Sequence, residues 1–295
     1  MAARGLIAAG LCALLVSVSV SAALGGATAQ GDDFIGLATV HLTTADDTLM
    51  DIAVATGVGF AELLAANPGT DPWMPEPGRH LSVPTRHILP PGTRRGLVVN
   101  LAELRLYWFP DHGPPESFPV GIGTEEAGNV RGTSRVVAKR VHPIWTPPPS
   151  VRAEAPDLPA AIAPGPENPL GDFALDTGWA AVAIHGTNKP YGVGRRVSHG
   201  CFRLYPRDIA ALFPRIAVGT PVTVIDEPVK FGWADGGLWI EVHGAAGPDL
   251  APLPTLAAVA ATALDTAGEE WLRLSWPRLL GALRAANGLP TQIMD

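Results

Sequence analysis

Between residues 38 and 84 the apolar positions change period twice. Ala38–Leu42 reads as a short strand, and Leu81-Ser82-Val83-Pro84 as another. Between them Leu49, Ile52, Ala53 and Ala55 recur at helical spacing behind Asp46-Asp47-Thr48 and stop at Thr56-Gly57. Phe60, Leu63 and Leu64 make a second helical face that ends at Asn67-Pro68-Gly69. The pattern over 38–84 predicts strand, two short helices, strand. From Arg95 the period shortens. Leu97–Asn100 and Leu104–Phe109 suit a hairpin around Leu101–Glu103, and Phe118–Ile122, Ser134–Lys139, Ala181–His185 and Val222–Ile225 are further strand candidates. Several short strands with turn signals between them predict a mainly β core. Residues 143–169 hold nine prolines in 27 positions, which cannot supply the donors of a central strand, so this segment is expected as surface loop. A loop of that length is either a lid or a plain insertion. Beyond residue 228, Phe231–Trp233 and Leu238–Val242 flank Asp235-Gly236-Gly237 as a hairpin. Leu256–Leu264 and Trp276–Asn287 read as packing helices, the second with Pro277 early and Gly288 and Pro290 after it.

The first thirty residues follow another rule. Arg4 precedes an apolar run from Leu6 to Val20, and small residues lead to Ala27-Thr28-Ala29. This is the layout of a secretory signal peptide, residues 1–29, cleaved near Ala29. The alternative is a membrane anchor from Gly5 to Leu24, but its end is broken by serine and glycine and the cleavage site follows at once. Cys12 would leave with the peptide, so Cys201 becomes the sole thiol of a protein exported to an oxidising compartment, where cysteines normally pair. Composition adds two exclusions. Hydrophobic residues at 47% with only 17% charged exclude a disordered chain. A net charge of −7 leaves no basic surplus for nucleic acid.

The chemistry concentrates in one stretch, from His185-Gly186-Thr187-Asn188 to Ser198-His199-Gly200-Cys201-Phe202-Arg203-Leu204. An ordinary cysteine is only a few per cent thiolate at neutral pH, and a neighbouring imidazolium would lower its pKa. His185 closes an apolar strand, and Gly186, Gly192 and Gly194 allow the chain to return so that His185 faces Cys201. A turn at Gly200 would aim the N–H groups of His199 to Cys201 at one spot, as an oxyanion hole requires. Three readings remain open on the residues alone. His185, His199 and Cys201 could ligate a metal, although no fourth ligand has recognisable spacing. Cys201 could be an inert buried thiol. It could be a nucleophile for acyl transfer. No serine-hydrolase, dinucleotide or P-loop motif is present.

Two resemblances bear on the choice. Asp47-Thr48-Leu49, Ile52-Ala53, Leu63, Asn67-Pro68 and Leu81, Val83-Pro84 resemble a LysM module, a unit that binds cell-wall glycan. Asp46 stands where glycine is usual and His41 where an aromatic is expected, so the unit either contacts glycan or only packs. His185-Gly186-Thr187 with Ser198-His199-Gly200-Cys201-Phe202-Arg203 is similar to the signature of L,D-transpeptidases with a YkuD-type catalytic domain. That resemblance runs from Leu97 to Glu227 through Asn168-Pro169-Leu170-Gly171 and Val218-Gly219-Thr220-Pro221-Val222. Many family members carry asparagine where Arg203 stands; arginine is similar to the periplasmic subgroup that attaches outer-membrane proteins to peptidoglycan.

The resemblance implies an α+β fold. Its units would be a mainly β, sandwich-like catalytic domain over 95–227, a small βααβ module over 38–84, and a C-terminal extension with short helices over 228–295. It implies that Cys201 attacks the carbonyl between the L-centre of a tetrapeptide stem and the terminal D-alanine, which leaves. An amine then resolves the thioester. His185 would move the proton, oriented by a carbonyl near Gly186. Ser198, His199 and Gly200 would shape the nucleophile turn, and Thr187, Asn188 and Arg203 would meet substrate. Arg203 could instead brace the turn or form an ordinary ion pair. No metal or cofactor is implied. Expected partners are peptidoglycan stem peptides and glycan, an outer-membrane protein as acyl acceptor, and carbapenem-type β-lactams as inhibitors. Hydrolysis at the same site and a non-catalytic wall-binding role are the rival functions.

Overall fold

The computed structural model describes residues 33–244 and 250–294. The expected signal peptide, with Cys12 and Ala29, lies outside the described residues. The core is one eight-stranded sheet. Its strands run in the order Phe202–Arg203, Ala183–His185, Phe173–Thr177, Gly132–Val141, Pro221–Ile225, Gly96–Asn100, Arg105–Phe109, Glu116–Pro119. Gly96–Asn100 is buried at every position, as suits an apolar central strand covered on both faces. The sheet curls until its edges meet: Gly121, just past the last strand, exchanges two 2.8 Å backbone hydrogen bonds with Arg203 in the first. Leu97, Leu106, Val136, Leu175, Ile184, Phe202 and Val222 fill the interior of the curl as one cluster.

Three strands differ from the pattern. Phe118–Ile122 divides into Glu116–Pro119 and Ile122–Gly123, because Pro119 has no N–H to continue the ladder and Gly121 pairs with Arg203 instead. Ala181 takes φ 58°, so the strand before His185 begins at Ala183. Phe173–Thr177 was not foreseen. It pairs with both Ala183–His185 and Gly132–Val141. The proline-rich segment is surface chain, but it is not featureless. It contains a helix at Pro149–Glu154 and an isolated bridge between Trp145 and Ile162. Buried Asn168 clasps its base, donating to Pro143 O at 2.7 Å and accepting from Leu170 N at 2.9 Å.

The N-terminal unit pairs Thr39–Leu42 antiparallel with His80–Val83 around helices Leu49–Thr56 and Phe60–Ala66. Thr48 caps the first helix by accepting from Asp51 N, and Gly57 ends it in the left-handed region. The second helix starts against the loop before Arg196–Ser198, where two glycines meet. Gly194 sits at φ +70°, and a Cβ there would lie 2.2 Å from Gly59 Cα. A further pairing, Phe34–Ile35 with His87–Ile88, precedes the catalytic sheet. The C-terminal extension forms the expected hairpin as Val229–Ala234 and Gly237–Val242, with Asp235 and Gly236 both at positive φ. Helices Leu256–Ala267 and Trp276–Ala285 pack on it in a core of their own.

Where the three parts meet, charge is buried. Lys230 Nζ donates to Glu103 Oε2 at 2.6 Å, Ile88 O at 2.7 Å and Tyr107 Oη at 3.1 Å, and lies 3.0 Å from Glu241 Oε1. Glu241 also accepts from Ile88 N and contacts His243 at 2.7 Å and His87 at 3.4 Å. Glu62 of the N-terminal unit binds Arg105 of the catalytic sheet at 2.7 Å. Each of these side chains is less than a tenth exposed.

Candidate active site

Strand registers place the functional side chains. Ile184 pairs with Phe202, and both face the interior. Successive residues alternate faces, so Ala183, His185, Cys201 and Arg203 stand together on the opposite face. Arg140, Ala174, His185 and Arg203 form one row across four strands. Ala138, Asp176 and Ala183 form the next row, which Cys201 continues. One strand spacing and two residues separate His185 from Cys201, about 8 Å between Cα atoms, within reach of the two side chains.

The Cys201 thiol is anchored at the start of the neighbouring strand. It accepts from Ala183 N and donates to Ala181 O, each at 3.4 Å. The left-handed turn at Ala181 belongs to this contact. His185 is buried, and its Nδ1 lies 2.5 Å from Gly186 O. A carbonyl only accepts, so Nδ1 carries the proton in this contact, and the Leu170 carbonyl also bears on the ring. Burial pushes the imidazole down to about 4 against the pull of the Gly186 carbonyl, and the charges of Arg203 and Arg140 push the same way. Burial also raises the Cys201 thiol, opposed by the Ala183 N–H and the Arg203 charge. Burial thus works against charge on both groups, while the Ala183 N–H and the Arg203 charge favour the thiolate over the thiol.

Ser198 is fully buried. Its hydroxyl donates to Cys201 O at 2.6 Å and accepts from Gly200 N at 3.2 Å, tying the turn into a closed loop with Gly200 at φ +101°. The Gly200 N–H is thus spent inside the turn, and a converging donor set would have to come from the N–H groups of its neighbours. His199 points outward, with Nε2 3.1 Å from Glu154 at the end of the proline-rich helix. Arg203 makes no ion pair among the described residues, and its Nε is buried without a partner. Thr187 is buried and accepts from Lys189 N at 3.0 Å; Asn188 Oδ1 is buried and unpaired. With Gly186, Asn168, Phe173 and Ile209 they line a cavity of about 480 Å³ beside His185.

The metal alternative finds no geometry. Among the described residues only His87, Glu103 and Glu241 approach one another within ligand spacing, and Lys230 holds the cation position between the two carboxylates. Sequence reading missed Arg140 and Asp176, whose carboxylate and guanidinium meet at 2.7 Å on the open face. An alternation signal, Arg140 two residues beyond Ala138 in a strand, was available for the first of them.

The sequence matches the YkuD L,D-transpeptidase catalytic domain over residues 94–224. It is 40% identical over 260 residues to "Probable L,D-transpeptidase ErfK/SrfK" of Escherichia coli K12, covering 83% of this chain and 82% of that protein. It is 38% identical to "Probable L,D-transpeptidase YcfS" of the same strain, covering 72% and 70%. Solved structures are more distant: L,D-transpeptidase 3 from Mycobacterium tuberculosis, in complex with a faropenem-derived adduct, is 17% identical with a TM-score of 0.34, over 52% of this chain and 72% of that one. With His185, Cys201 and Arg203 together on one face of the sheet and a relative matched along most of both chains, this chain belongs to the L,D-transpeptidase family.

Proposed function

We propose that the protein is an exported, periplasmic peptidoglycan L,D-transpeptidase in which Cys201 is the nucleophile and His185 the proton carrier. The observation that carries this reading is a free thiol on an open sheet face, within reach of a buried imidazole held by the Gly186 carbonyl. As Cys201 Sγ attacks the carbonyl between the stem's L-centre and D-alanine, His185 Nε2 takes the thiol proton. It returns that proton to the departing D-alanine nitrogen, leaving a thioester. An amine then attacks the thioester, and the sulfur leaves. The thioester conserves much of the free energy of the cleaved amide, so no nucleotide is consumed. Arg203, unpaired beside the nucleophile, suits the carboxylate of the leaving D-alanine. Ser198 and Gly200 fix the turn, Gly186 sets the tautomer of His185, and Thr187 and Asn188 line the adjoining cavity. The N-terminal unit is a LysM-like glycan contact, and an outer-membrane protein is one acyl acceptor. Carbapenems acylate the same sulfur, because a strained lactam carbonyl offers the same target.

The Glu154–His199 contact supports the proline-rich segment as a lid over the nucleophile turn. Its removal is expected to raise hydrolysis relative to amine transfer, checked by product analysis with a fixed amine acceptor; an unchanged ratio rejects the lid.

The reading as a whole is tested by intact-protein mass spectrometry of residues 30–295 with a disaccharide-tetrapeptide, beside Cys201→Ala. A covalent adduct lacking D-alanine, present only with the cysteine, is expected. Folded protein with neither adduct nor D-alanine release would favour a wall-binding role.

A further inference from the structure

The chain from Gly186 to Gly200, which joins His185 to Cys201, runs between two other backbones. On one side lies the N-terminal unit. Ala61 N–H donates to Gly194 O at 3.3 Å, Tyr191 Oη donates to Asp51 Oδ1 at 3.1 Å, and the Arg195 guanidinium lies 5.4 Å from the centre of the Phe60 ring. On the other side lies the segment Gly121–Gly123. Ile122 N–H donates to Arg195 O at 3.0 Å, and Ser198 pairs with Gly123. Glycine stands at each close approach: a Cβ on Gly121 would lie 2.5 Å from Gly192 O, and one on Gly59 would lie 3.0 Å from Gly194 Cα.

Held from both sides, this loop has no room to absorb a displacement, and close-packed contacts pass strain on to their neighbours. Its two ends are fixed differently. At the His185 end the chain belongs to the large sheet, and Gly186 N–H donates to Phe173 O at 3.1 Å. At the other end Ser198 follows four positions after Gly194, and its hydroxyl closes the nucleophile turn on Cys201 O at 2.6 Å. A push on Gly194 is felt at the nucleophile turn before it is felt at His185. The chain beyond the nucleophile is tied to the same unit. Tyr205 Oη donates to Val58 O at 2.9 Å, and Arg207 Nη2 donates to Val54 O, in the last turn of the first helix, at 2.9 Å.

We propose that Gly59 and Gly194 are positioning residues for acylation: their backbone contact lets the N-terminal unit set the nucleophile turn, which makes that unit part of the catalytic scaffold whether or not it also touches glycan. The inference rests on Cys201 being the acylated residue. Attack on a carbonyl requires the sulfur, the proton carrier and the stabilising donors in one alignment, and a small misplacement from a distant change is costly. A side chain at position 59 would force the loop to give by a few tenths of an ångström. Gly59 itself sits at φ −76° and ψ 144°, a backbone open to any residue, so alanine there adds no strain of its own and acts as a wedge. The Asp51–Tyr191 hydrogen bond holds the same loop at a second point.

The test uses the full mature chain, with D-alanine release followed in a single turnover over a range of tetrapeptide-stem concentrations. Gly59→Ala is expected to lower the maximal acylation rate about tenfold, while the half-saturating stem concentration stays within about twofold. Gly69→Ala is the control. Gly69 has φ +76° with nothing within 4 Å of a Cβ, so alanine strains the same unit without touching the loop, and its acylation rate is expected to match the native one. Asp51→Ala, which frees Tyr191, is expected to lower the rate about threefold, and Asp51→Asn, which keeps the acceptor oxygen, to restore it. An unchanged rate in Gly59→Ala, an equal fall in Gly69→Ala, or a change confined to the half-saturating concentration overturns the inference. If Gly59→Ala does not fold, the Asp51 variants decide, and equal rates in the two overturn it. Failure of the native protein to release D-alanine would instead overturn the transpeptidase reading itself, and this inference with it.

Discussion

Lys230→Met is expected to cost about 3–5 kcal/mol of stability while leaving every residue of the nucleophile face in place. Lys230 neutralises Glu103 and Glu241, both fully buried, and methionine fills its volume without its charge. The loss comes less from the missing contacts than from two carboxylates stranded out of water. Urea or thermal unfolding measures it. A Lys230→Met, Glu241→Gln double variant should recover part of the loss, since a neutral amide needs no counter-ion. The pH dependence carries a further mark. Burial alone would raise Glu241, but the Lys230 ammonium and the His243 and His87 rings hold it well below the usual carboxylate range. A carboxylate depressed in the folded state contributes stability above its unfolded pKa, near 4.5, and that contribution is lost as pH falls through the folded value. Removing Lys230 is expected to flatten this acid slope. A loss below 1 kcal/mol with the slope unchanged would mean that the cluster is wetter than its burial implies.

His185→Gln is expected to slow acylation of Cys201 about a thousandfold, because glutamine can keep the contact to Gly186 O but cannot accept the thiol proton. The native pH profile should be equally distinctive. His185 must be neutral to act, and its imidazole is pushed down to about 4, so kcat/KM should hold its plateau through pH 6 and fall only near pH 4. An acid limb near 6.5 would instead indicate an ordinary, hydrated imidazole. In His185→Gln that limb should vanish, and the rate should climb with pH as the raised thiol ionises unaided. The same shift affects folding. The unfolded chain takes up a proton on this histidine below 6.5 while the native state refuses it until about 4, so stability falls as pH drops through that window.

The nucleophile turn was legible because its parts are adjacent in sequence: Ser198, His199, Gly200 and Cys201 make their own loop, and the glycines around residue 190 announce the return to His185. Hairpins whose apolar alternation is local, such as Leu97–Asn100 with Leu104–Phe109, were legible for the same reason. What could not be read depends on register between distant strands. Arg140 and Asp176 look like solvent-facing charges until the pairing through Ala174 and Ala183 sets them beside the site. Phe173–Thr177 follows a proline-rich run and is too short to advertise itself. The burial of His185, which pushes its imidazole down, could not be read either, because sequence shows the neighbours of a histidine but not its depth. Lys230, Glu103 and Glu241 were unremarkable in sequence, since a lysine 127 positions from its carboxylate gives no sign of meeting it.

The buried charge cluster also sets limits on how this protein could be recombined. Glu62 and His87 come from the N-terminal part, Glu103 and Arg105 from the catalytic sheet, and Lys230, Glu241 and His243 from the extension. A chimera that exchanged the first 84 residues for another glycan-binding unit would cut the Glu62–Arg105 contact and leave a guanidinium sealed in the interior. The segments are therefore not interchangeable beads on a string. Their mutual orientation is fixed by ionic complementarity, so successful grafts would have to carry Glu62 or a replacement anion with them.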